Sequence, residues 1–334
     1  MTETKFDVIA LGNAIMDVIA SVDDQFLIDK DIAKARMNLI DQERTDYLYS
    51  ALPEDRVETS GGSAGNTIAC LLSFGAKAAF MGKVANDEIG AAYVNDMERI
   101  GAVFSGSPLV DSVATARCMI AVTPDGERSM NTFLGASTEF AAEDVDQDLI
   151  EQSEWLYLEG YLFDKPAAKT AFVRAAEIAK AAGRKVAVTM SDVFCVERHR
   201  DAFRHLVKNY VDLVFANEEE LLALYETDDF DAAVDMLKAE TEFAAITRSS
   251  KGSVVVDSKT RMNVPTKPLD KVVDATGAGD AYAGGFFFGL SQGVNLETCA
   301  RLGHLAASEV ISHYGPRPEA NLRELAIAAD LIQA

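Results

Sequence analysis

The 334-residue chain has few of the residues that mark several large protein classes. Its four cysteines (Cys70, Cys118, Cys195 and Cys299) include no C-x-x-C pair, so their spacing predicts neither a disulfide framework nor a zinc cage. Free thiols suit a reducing compartment. The amino terminus also lacks the basic stretch and cleavage box of a signal peptide. We therefore expect a cytoplasmic protein.

Basic residues and long apolar runs are also scarce. The 31 Lys and Arg residues stand against 53 Asp and Glu, which gives a formal net charge of −22. Since nucleic-acid phosphates select basic surfaces, we expect no nucleic-acid partner. The longest apolar run is Ala281–Leu290, half of the roughly 20 residues that a membrane span needs, so we expect no membrane insertion either. The remaining composition is globular, and the length predicts one large domain over residues 1–334.

Short apolar runs alternate with longer helical patterns along most of the chain. The predicted strands are Phe6–Leu11, Lys77–Val84, Trp155–Gly160, Val186–Met190, Val211–Ala216, Ala244–Thr247 and Gly252–Val256. The predicted helices are Ala64–Phe74, Glu88–Ile100, Ala167–Ala182, Glu218–Glu226, Phe230–Ala239, Ala278–Gln292 and Leu296–His313. Strands that are apolar on both faces and joined by helical crossovers predict a doubly wound, mostly parallel α/β sheet.

Two stretches break this alternation. Ile15–Asp23 continues straight out of the first strand. Ala114–Ala136 holds two half-buried strand patterns around the turn Pro124–Glu127, which predicts a β-hairpin. We expect these pieces, at about residues 15–40 and 113–137, to form a four- or five-stranded lid against the edge of the sheet.

The most informative motif is Asp274–Asp280 (DATGAGD), which leads directly into an apolar helix. Its glycines allow backbone to approach a ligand closely, and the start of a helix presents free N–H groups to an anion. Asp280, in the first turn, can accept a proton from a hydroxyl beside that anion. The simpler interpretation is a helix cap and a turn, which accounts for one aspartate but not for the whole motif.

A second cluster, Gly61–Thr67 (GGSAGNT), stands at the start of the predicted helix Ala64–Phe74. A glycine-rich edge with the Asn66 amide suits a polyhydroxylated ligand, and a plain glycine-rich helix start is the alternative. The string G-x-S-x-G also matches a hydrolase nucleophile elbow. That elbow follows a buried apolar strand, whereas polar residues 54–60 come first here, so we disfavour it.

Weaker signals stand at the ends of other predicted strands. Asp17, in Gly12–Asp17, lies among apolar neighbours and needs partners such as ribose hydroxyls or an arginine, unless it is a surface residue of the lid. Asn217 and Glu220 could orient hydrated magnesium, or simply form an acidic first helical turn. Thr247–Gly252 could line a nucleotide site or be an ordinary loop.

These clusters, in this order and spacing, resemble the ribokinase family of carbohydrate and nucleoside kinases over essentially the whole chain. The resemblance implies a ribokinase-like α/β domain and an ATP- and magnesium-dependent phosphotransferase. Further segments resemble the members that phosphorylate the 5'-hydroxyl of adenosine; they are Gly126–Ser129, Tyr157–Phe163, Asn217–Glu220 and Gly303–Ser308.

The resemblance also implies roles for individual residues. Asp280 would be the base, the amides of Gly277, Ala278 and Gly279 would form the anion hole, and Arg128 would pair with the phosphates. The ribose would be held by Asn13, Asp17, Gly61, Gly62 and Asn66. The nucleobase would pack against Met37, Tyr161, Phe163 and Phe194. Asn217 and Glu220 would position magnesium through water. The ATP site would include Asn217, Thr247, Ser249, Gly252, Thr276, His304, Ala307 and Ser308.

Several points stay open from the sequence alone. The acceptor is a nucleoside, with adenosine favoured and inosine or guanosine as alternatives, or a sugar, as in ribokinase- or fructokinase-like members. A non-catalytic nucleoside- or sugar-sensing protein is a more distant alternative. Some members also bind a monovalent cation after the late helix, here near Ser312–Gly315, so a K⁺ requirement is open. Ribokinase-like members pair through their lids and adenosine-phosphorylating ones stand alone, so both a monomer and a lid-mediated homodimer are compatible.

Overall fold

In the computed structural model, residues 4–267, 269 and 271–333 are described, and they form fourteen strands and twelve α-helices. The strands are β1 Phe6–Leu11, β2 Ile15–Ser21, β3 Met37–Leu39, β4 Val57–Gly61, β5 Ala78–Met81, β6 Val103–Ser105, β7 Ala116–Val122, β8 Arg128–Phe133, β9 Ser153–Glu159, β10 Lys185–Thr189, β11 Leu213–Asn217, β12 Phe243–Thr247, β13 Ser253–Asp257 and β14 Arg261–Val264. The helices are α1 Asp24–Asp29, α2 Gln42–Ala51, α3 Ser63–Ser73, α4 Glu88–Arg99, α5 Gln147–Glu151, α6 Pro166–Ala181, α7 Val193–Tyr210, α8 Glu218–Tyr225, α9 Phe230–Glu240, α10 Ala278–Ser291, α11 Leu296–Val310 and α12 Leu322–Ala328.

The large sheet has the strand order β14-β13-β12-β11-β10-β9-β1-β5-β6 within the described residues. All neighbours from β12 to β6 pair in parallel, and the reversed strand β13 pairs antiparallel with both β12 and β14. Apolar clusters fill both faces of this sheet. The predicted doubly wound, mostly parallel α/β fold is therefore confirmed.

Helix α10 is largely buried beside the large sheet, and small residues let its neighbours approach. An added Cβ at Gly285 would lie 2.4 Å from the Leu302 carbonyl oxygen of α11, and one at Gly284 would lie 2.7 Å from Cys70 Cβ of α3. The aromatic rings of Phe286, Phe287 and Phe288 are completely buried. This close packing fixes the start of α10 relative to α3.

The second sheet has the order β3-β8-β7-β2-β4 in the described part of the chain. Strands β7 and β8 form the predicted antiparallel hairpin, and β2 continues from β1 after only residues 12–14. Strand β4 lies outside the predicted lid segments, because its sequence, VETSG, has no apolar run and resembles a loop. It is an edge strand paired with β2, and so needs no continuous apolar pattern.

Most predicted elements are present with small shifts at their ends, but helices α1, α2, α5 and α12 were not predicted, nor was α7, the longest of the five. Its sequence carries many charged residues, and its backbone leaves helical geometry at His199 (φ −126°, ψ 22°), which interrupts the apolar periodicity. All four cysteines are free thiols, as predicted. Among the described residues, no helix is long and apolar enough to cross a bilayer.

Candidate active site

The start of helix α10 faces the carboxyl edge of the large sheet, where doubly wound folds bind ligands. Gly277 is its N-cap residue and has a left-handed backbone (φ 77°, ψ 1°), which a residue with a side chain rarely adopts. Gly279 follows in the exposed first turn. The Ala278 N–H donates a long bond to the Ala275 carbonyl at 3.3 Å, so it is less available than its neighbours to an anion.

Asp274 organises the loop before this helix. Its Oδ1 accepts a hydrogen bond from the Thr276 N–H at 3.0 Å, and its Oδ2 accepts one from the Gly315 N–H at 3.0 Å. Arg128, at the start of β8, donates to the same Oδ2 at 2.6 Å in an ion pair whose side chains are both buried. Burial raises the pKa of Asp274, but the hydrogen bonds and Arg128 outweigh it and hold that pKa below its usual value.

Asp280, the predicted base, contacts the second glycine-rich cluster. Ser63 Oγ donates to its Oδ1 at 2.6 Å, and Asn66 Nδ2 donates to its Oδ2 at 3.4 Å. Burial raises the pKa of Asp280 to about 6, although both hydrogen bonds lower it. The carboxyl group is therefore mostly ionised at neutral pH and able to accept a proton.

Glu159 supports this region, although it stands outside the sequence motifs. It lies at the end of β9, beside β1. Its Oε1 accepts from Asn13 Nδ2 at 2.7 Å, and its Oε2 accepts from the Ala64 N–H at 2.8 Å. Burial raises the pKa of Glu159 to about 7 against these hydrogen bonds. Glu159 thus ties the end of β1 to the start of α3.

The predicted ribose residues present an unusual set of hydrogen-bond acceptors. Asn13 Oδ1 and Asn66 Oδ1 are both buried without a partner among the described residues. Asp17 is 8% exposed and packs against Gly61, where an added Cβ would lie 2.4 Å from Asp17 Oδ2. Burial raises the pKa of Asp17 to about 6, opposed by the positive charges of Arg317 and Arg128. Such acceptors call for a ligand with several donors.

Asn217 and Glu220 form a reciprocal cap at the start of α8. Asn217 Nδ2 donates to Glu220 Oε1 at 2.7 Å, and the Glu220 N–H donates to Asn217 Oδ1 at 2.8 Å. Burial raises the pKa of Glu220 to about 7. In the described part of the chain, no group of three acidic, histidine or cysteine side chains could cage a metal. A magnesium ion beside these two residues would therefore have to keep most of its own waters.

The predicted ATP residues fall into two neighbouring groups. Thr247 ends β12 and pairs with Ser253 across the turn that contains Ser249 and Gly252. Ser253 Oγ accepts a hydrogen bond from the Tyr282 hydroxyl at 2.9 Å, and the Tyr282 ring packs on His304 of α11 with centroids 5.4 Å apart. Ala307 and Ser308 follow on α11, half-buried, and burial lowers the pKa of His304 to about 4. Thr276 lies beyond, in the Asp274 loop.

The predicted nucleobase residues are not all in comparable positions. Met37, Tyr161 and Phe194 are exposed, and Phe194 is 74% exposed. Phe163 instead lies in the core, 2% exposed, with its ring 4.7 Å from Phe203 and packed on Phe172. The sequence expectation that Phe163 offers its ring to a base is therefore not met: the ring is used in packing helix α7 on α6.

A cavity of about 430 Å³ lies behind the second sheet and is separate from these residues. It is lined by Leu27, Asn38, Arg44 and Asn131, among others. Side chains alternate along β8, so Asn131 points away from the face that carries Arg128. The cavity is therefore not the candidate active site.

A carboxylate beside the N-terminus of a helix can take a hydroxyl proton while the helix amides face an anion, which is the chemistry of a kinase that phosphorylates an alcohol. The model of the pfkB family of carbohydrate kinases matches residues 31–321. The chain belongs to this family and is a kinase of the ribokinase type.

The chain is similar to nucleoside and sugar kinases over most of its length. It is 29% identical over 331 residues to the adenosine kinase of Saccharomyces cerevisiae, a match that covers 92% of this chain and 95% of the yeast protein. The crystal structure of adenosine kinase from Sinorhizobium meliloti superposes with a TM-score of 0.88 at 51% identity, covering 97% and 99% of the two chains. A probable sugar kinase from Rhizobium etli CFN 42 gives a TM-score of 0.89 at 48% identity, covering 98% and 100%. The substrates of the chain are therefore ATP and a nucleoside or sugar.

Proposed function

We propose that this kinase transfers the γ-phosphoryl group of ATP to the 5'-hydroxyl of adenosine. The observation that carries the proposal is the acceptor set beside Asp280, namely Asn13 Oδ1, Asn66 Oδ1 and the Asp17 carboxylate. The 2'- and 3'-hydroxyls of a ribose supply the donors that this set lacks, and they leave the 5'-hydroxyl directed at Asp280. The similarity to two adenosine kinases supports adenosine as the nucleoside.

The exposed apolar side chains support a base over a free sugar. Met37 on β3, Tyr161 after β9 and Phe194 at the start of α7 are exposed although they are large and apolar. A planar purine would cover such surface, and an aromatic wall favours stacking. A free sugar would leave these side chains in water.

In the proposed reaction, Asp280 accepts the 5'-hydroxyl proton as the oxygen attacks the γ-phosphorus and the bond to ADP breaks. The N–H groups at the start of α10 stabilise the charge on the transferred group, and Arg128 lies on the second sheet within reach of the same loop. The transition state of phosphoryl transfer is usually loose, with little bonding to the attacking oxygen. This charge stabilisation therefore contributes more to the rate than strong deprotonation of the hydroxyl does. Closing the second sheet over the cleft excludes water that would hydrolyse ATP.

Magnesium bound with ATP would neutralise part of the phosphate charge. Asn217 and Glu220 would orient its waters, since their side chains are already joined to each other and Glu220 is buried. The adenine and ribose of ATP would be bordered by Thr247, Ser249, Gly252, His304, Ala307 and Ser308. Thr276 would lie near the phosphates.

A panel of acceptors tests the proposal. Purified protein with ATP and Mg²⁺ is assayed with adenosine, inosine, guanosine, ribose and fructose, and kcat/KM is compared. We expect adenosine to exceed the sugars by at least about 100-fold, since the base contributes apolar contacts that a sugar lacks. Preference for ribose or fructose would contradict the proposal and favour a sugar kinase, which the similarity to the Rhizobium etli protein keeps as the second candidate.

A further inference from the structure

The segment after α11 contacts both parts of the candidate active site. The Gly315 N–H donates to Asp274 at 3.0 Å. Pro316 packs on Gly277, where an added Cβ would lie 2.6 Å from Pro316 Cβ. The next residue, Arg317, extends to the second sheet. Three consecutive residues therefore link the anion loop to that sheet.

Arg317 joins strand β4 to helix α4. Its Nη2 donates to Ser60 Oγ at 2.8 Å, and its Nη1 lies 3.3 Å from Asp96 Oδ2. Ser60 in turn donates to the same Oδ2 from its N–H at 2.9 Å and from its hydroxyl at 2.6 Å. Arg99 also pairs with Asp96, at 2.6 Å, but its side chain is 71% exposed and points to solvent. Two arginines thus share one carboxylate, and Arg317 is the one that also bonds to Ser60 of β4.

Arg317 also acts on Asp17, which no hydrogen bond from a described residue stabilises. Its positive charge opposes the effect of burial on the Asp17 pKa more strongly than Arg128 does. The charged or titratable groups that influence Asp17, or that its charge influences, are Arg317, Arg128, Asp280, Cys118 and Tyr93. Of these, the two arginines favour the ionised form of Asp17; Arg128 is paired with Asp274, and Arg317 with Asp96.

We propose that Arg317 is a positioning residue for the acceptor: its contacts with Ser60 and Asp96 hold strand β4, whose Gly61 packs on Asp17, beside the acceptor site. The inference rests on the proposed function, because it takes Asp17 as the group that receives hydroxyls of the acceptor. Arg317 does not touch the transferred phosphoryl group. Its removal therefore weakens binding of the acceptor and changes the chemical step little.

The test compares Arg317→Met, Arg317→Gln and Arg317→Lys with the matched control Arg99→Met, in the full-length protein. Steady-state rates are measured from pH 5 to 8 with adenosine and ATP. For Arg317→Met we expect a rise of about tenfold or more in KM for adenosine, with KM for ATP and kcat within about twofold of wild type. The acid limb of kcat/KM for adenosine should move up by about one pH unit, because Asp17 loses the positive charge that most opposes the effect of its burial on its pKa.

The other variants separate charge from packing. Arg317→Gln keeps a donor for Ser60 but not the charge, so it should show the same shift of the acid limb even if Arg317→Met does not fold. Arg317→Lys should restore the limb. Arg99→Met removes an arginine from the same carboxylate and should leave both the limb and KM for adenosine unchanged.

Two results would overturn the inference: a wild-type acid limb in both neutral variants, or equal effects of Arg317→Met and Arg99→Met. The proposed function fails separately, when the wild-type protein phosphorylates only sugars. In that case the same variants are compared with the sugar that is turned over, since Asp17 would face the hydroxyls of either acceptor.

Discussion

Asp280 is subject to two opposed influences, and their balance sets its usefulness as a base. Burial favours the protonated form, whereas the hydrogen bonds from Ser63 and Asn66 favour the ionised form. A pKa of about 6 leaves the carboxylate ionised at neutral pH and still closer to the pKa of an alcohol than an exposed aspartate would be. Ser63, which resembles a hydrolase nucleophile in sequence, serves here as a hydrogen-bond donor.

Asp280→Asn tests the base directly. The amide keeps the shape but cannot accept the hydroxyl proton, so we expect turnover to fall by about 10²- to 10⁴-fold. ATP affinity, measured by calorimetry, should stay near the wild-type value. Full turnover in this variant would remove Asp280 from the role of base.

Ser63→Ala tests how the pKa of Asp280 is controlled. Loss of the 2.6 Å hydrogen bond to Oδ1 removes an interaction that favours the carboxylate, so the pKa should rise above about 6. Since the ionised form is the active one, the acid limb of the kcat profile should move to higher pH. A limb at the wild-type position would show that another group controls it.

At the residue scale, the sequence predicts groups that stand inside motifs and does not reveal their distant partners. Asp280, Asn66 and Asp17 belong to recognisable clusters. Glu159 is separated from Asn13 by 146 positions, and only the pairing of β9 with β1 brings them together. Phe163 shows the opposite error, because an aromatic residue near a strand end has the same local pattern in a pocket wall and in a core.

At the scale of elements, the conformation of one loop determines how α10 meets its ligand. Gly277 has a positive φ and no room for a side chain against Pro316. Gly277→Ala should lower the free energy of unfolding by about 1–3 kcal/mol and reduce turnover more than tenfold. Gly279→Ala is the stability control, since an added Cβ there meets no atom within 4 Å. Equal unfolding free energies in the two variants, measured by urea denaturation, would contradict this interpretation of the loop.

Strand β8 carries Arg128 to the same loop. Arg128→Ala leaves the Asp274 carboxylate without its ion-pair partner and removes a positive charge beside the anion site, so kcat should fall by about 10-fold or more while KM for the nucleoside changes little. Arg117→Ala is a matched control, because Arg117 pairs with Asp46 on the opposite face of the second sheet. A larger effect on KM than on kcat would remove Arg128 from the phosphate site.

Elements with regular apolar patterns could be predicted, and irregular ones could not. The parallel strands of the large sheet are buried on both faces and stand out as apolar runs. Strand β4 is half exposed and helix α7 is distorted at His199, so neither has a clean period. The segment containing Arg317 has no regular structure at all, and only its contacts with Ser60 and Asp96 reveal its position.

At the scale of the whole molecule, several buried acids make stability depend on pH. Burial raises the pKa of Asp17 and Asp280 to about 6 and of Glu159 and Glu220 to about 7. The folded protein therefore holds protons that the unfolded chain releases, and the free energy of unfolding should fall as pH rises from about 4 to 7. Burial lowers the pKa of His304 to about 4, so this one group contributes in the opposite direction to the four acids.

Chemical denaturation at pH 5 and pH 8 measures this dependence. We expect the free energy of unfolding to be lower at pH 8 by about 3 kcal/mol or more, with the net charge of −22 acting in the same direction. Glu159→Gln should make the dependence shallower, because an amide releases no proton. A protein that becomes more stable between pH 5 and 8 would contradict the assignment of these groups.

The three-residue connection between β1 and β2 has a consequence for motion. Asn13 stands in this connection and is fixed to the large sheet by Glu159, whereas Asp17 travels with the second sheet. A ligand that binds both residues links the two sheets across this connection. Binding of the acceptor in the absence of ATP should therefore slow deuterium uptake along β2 and β4. It should also favour an ordered mechanism in which the acceptor binds first.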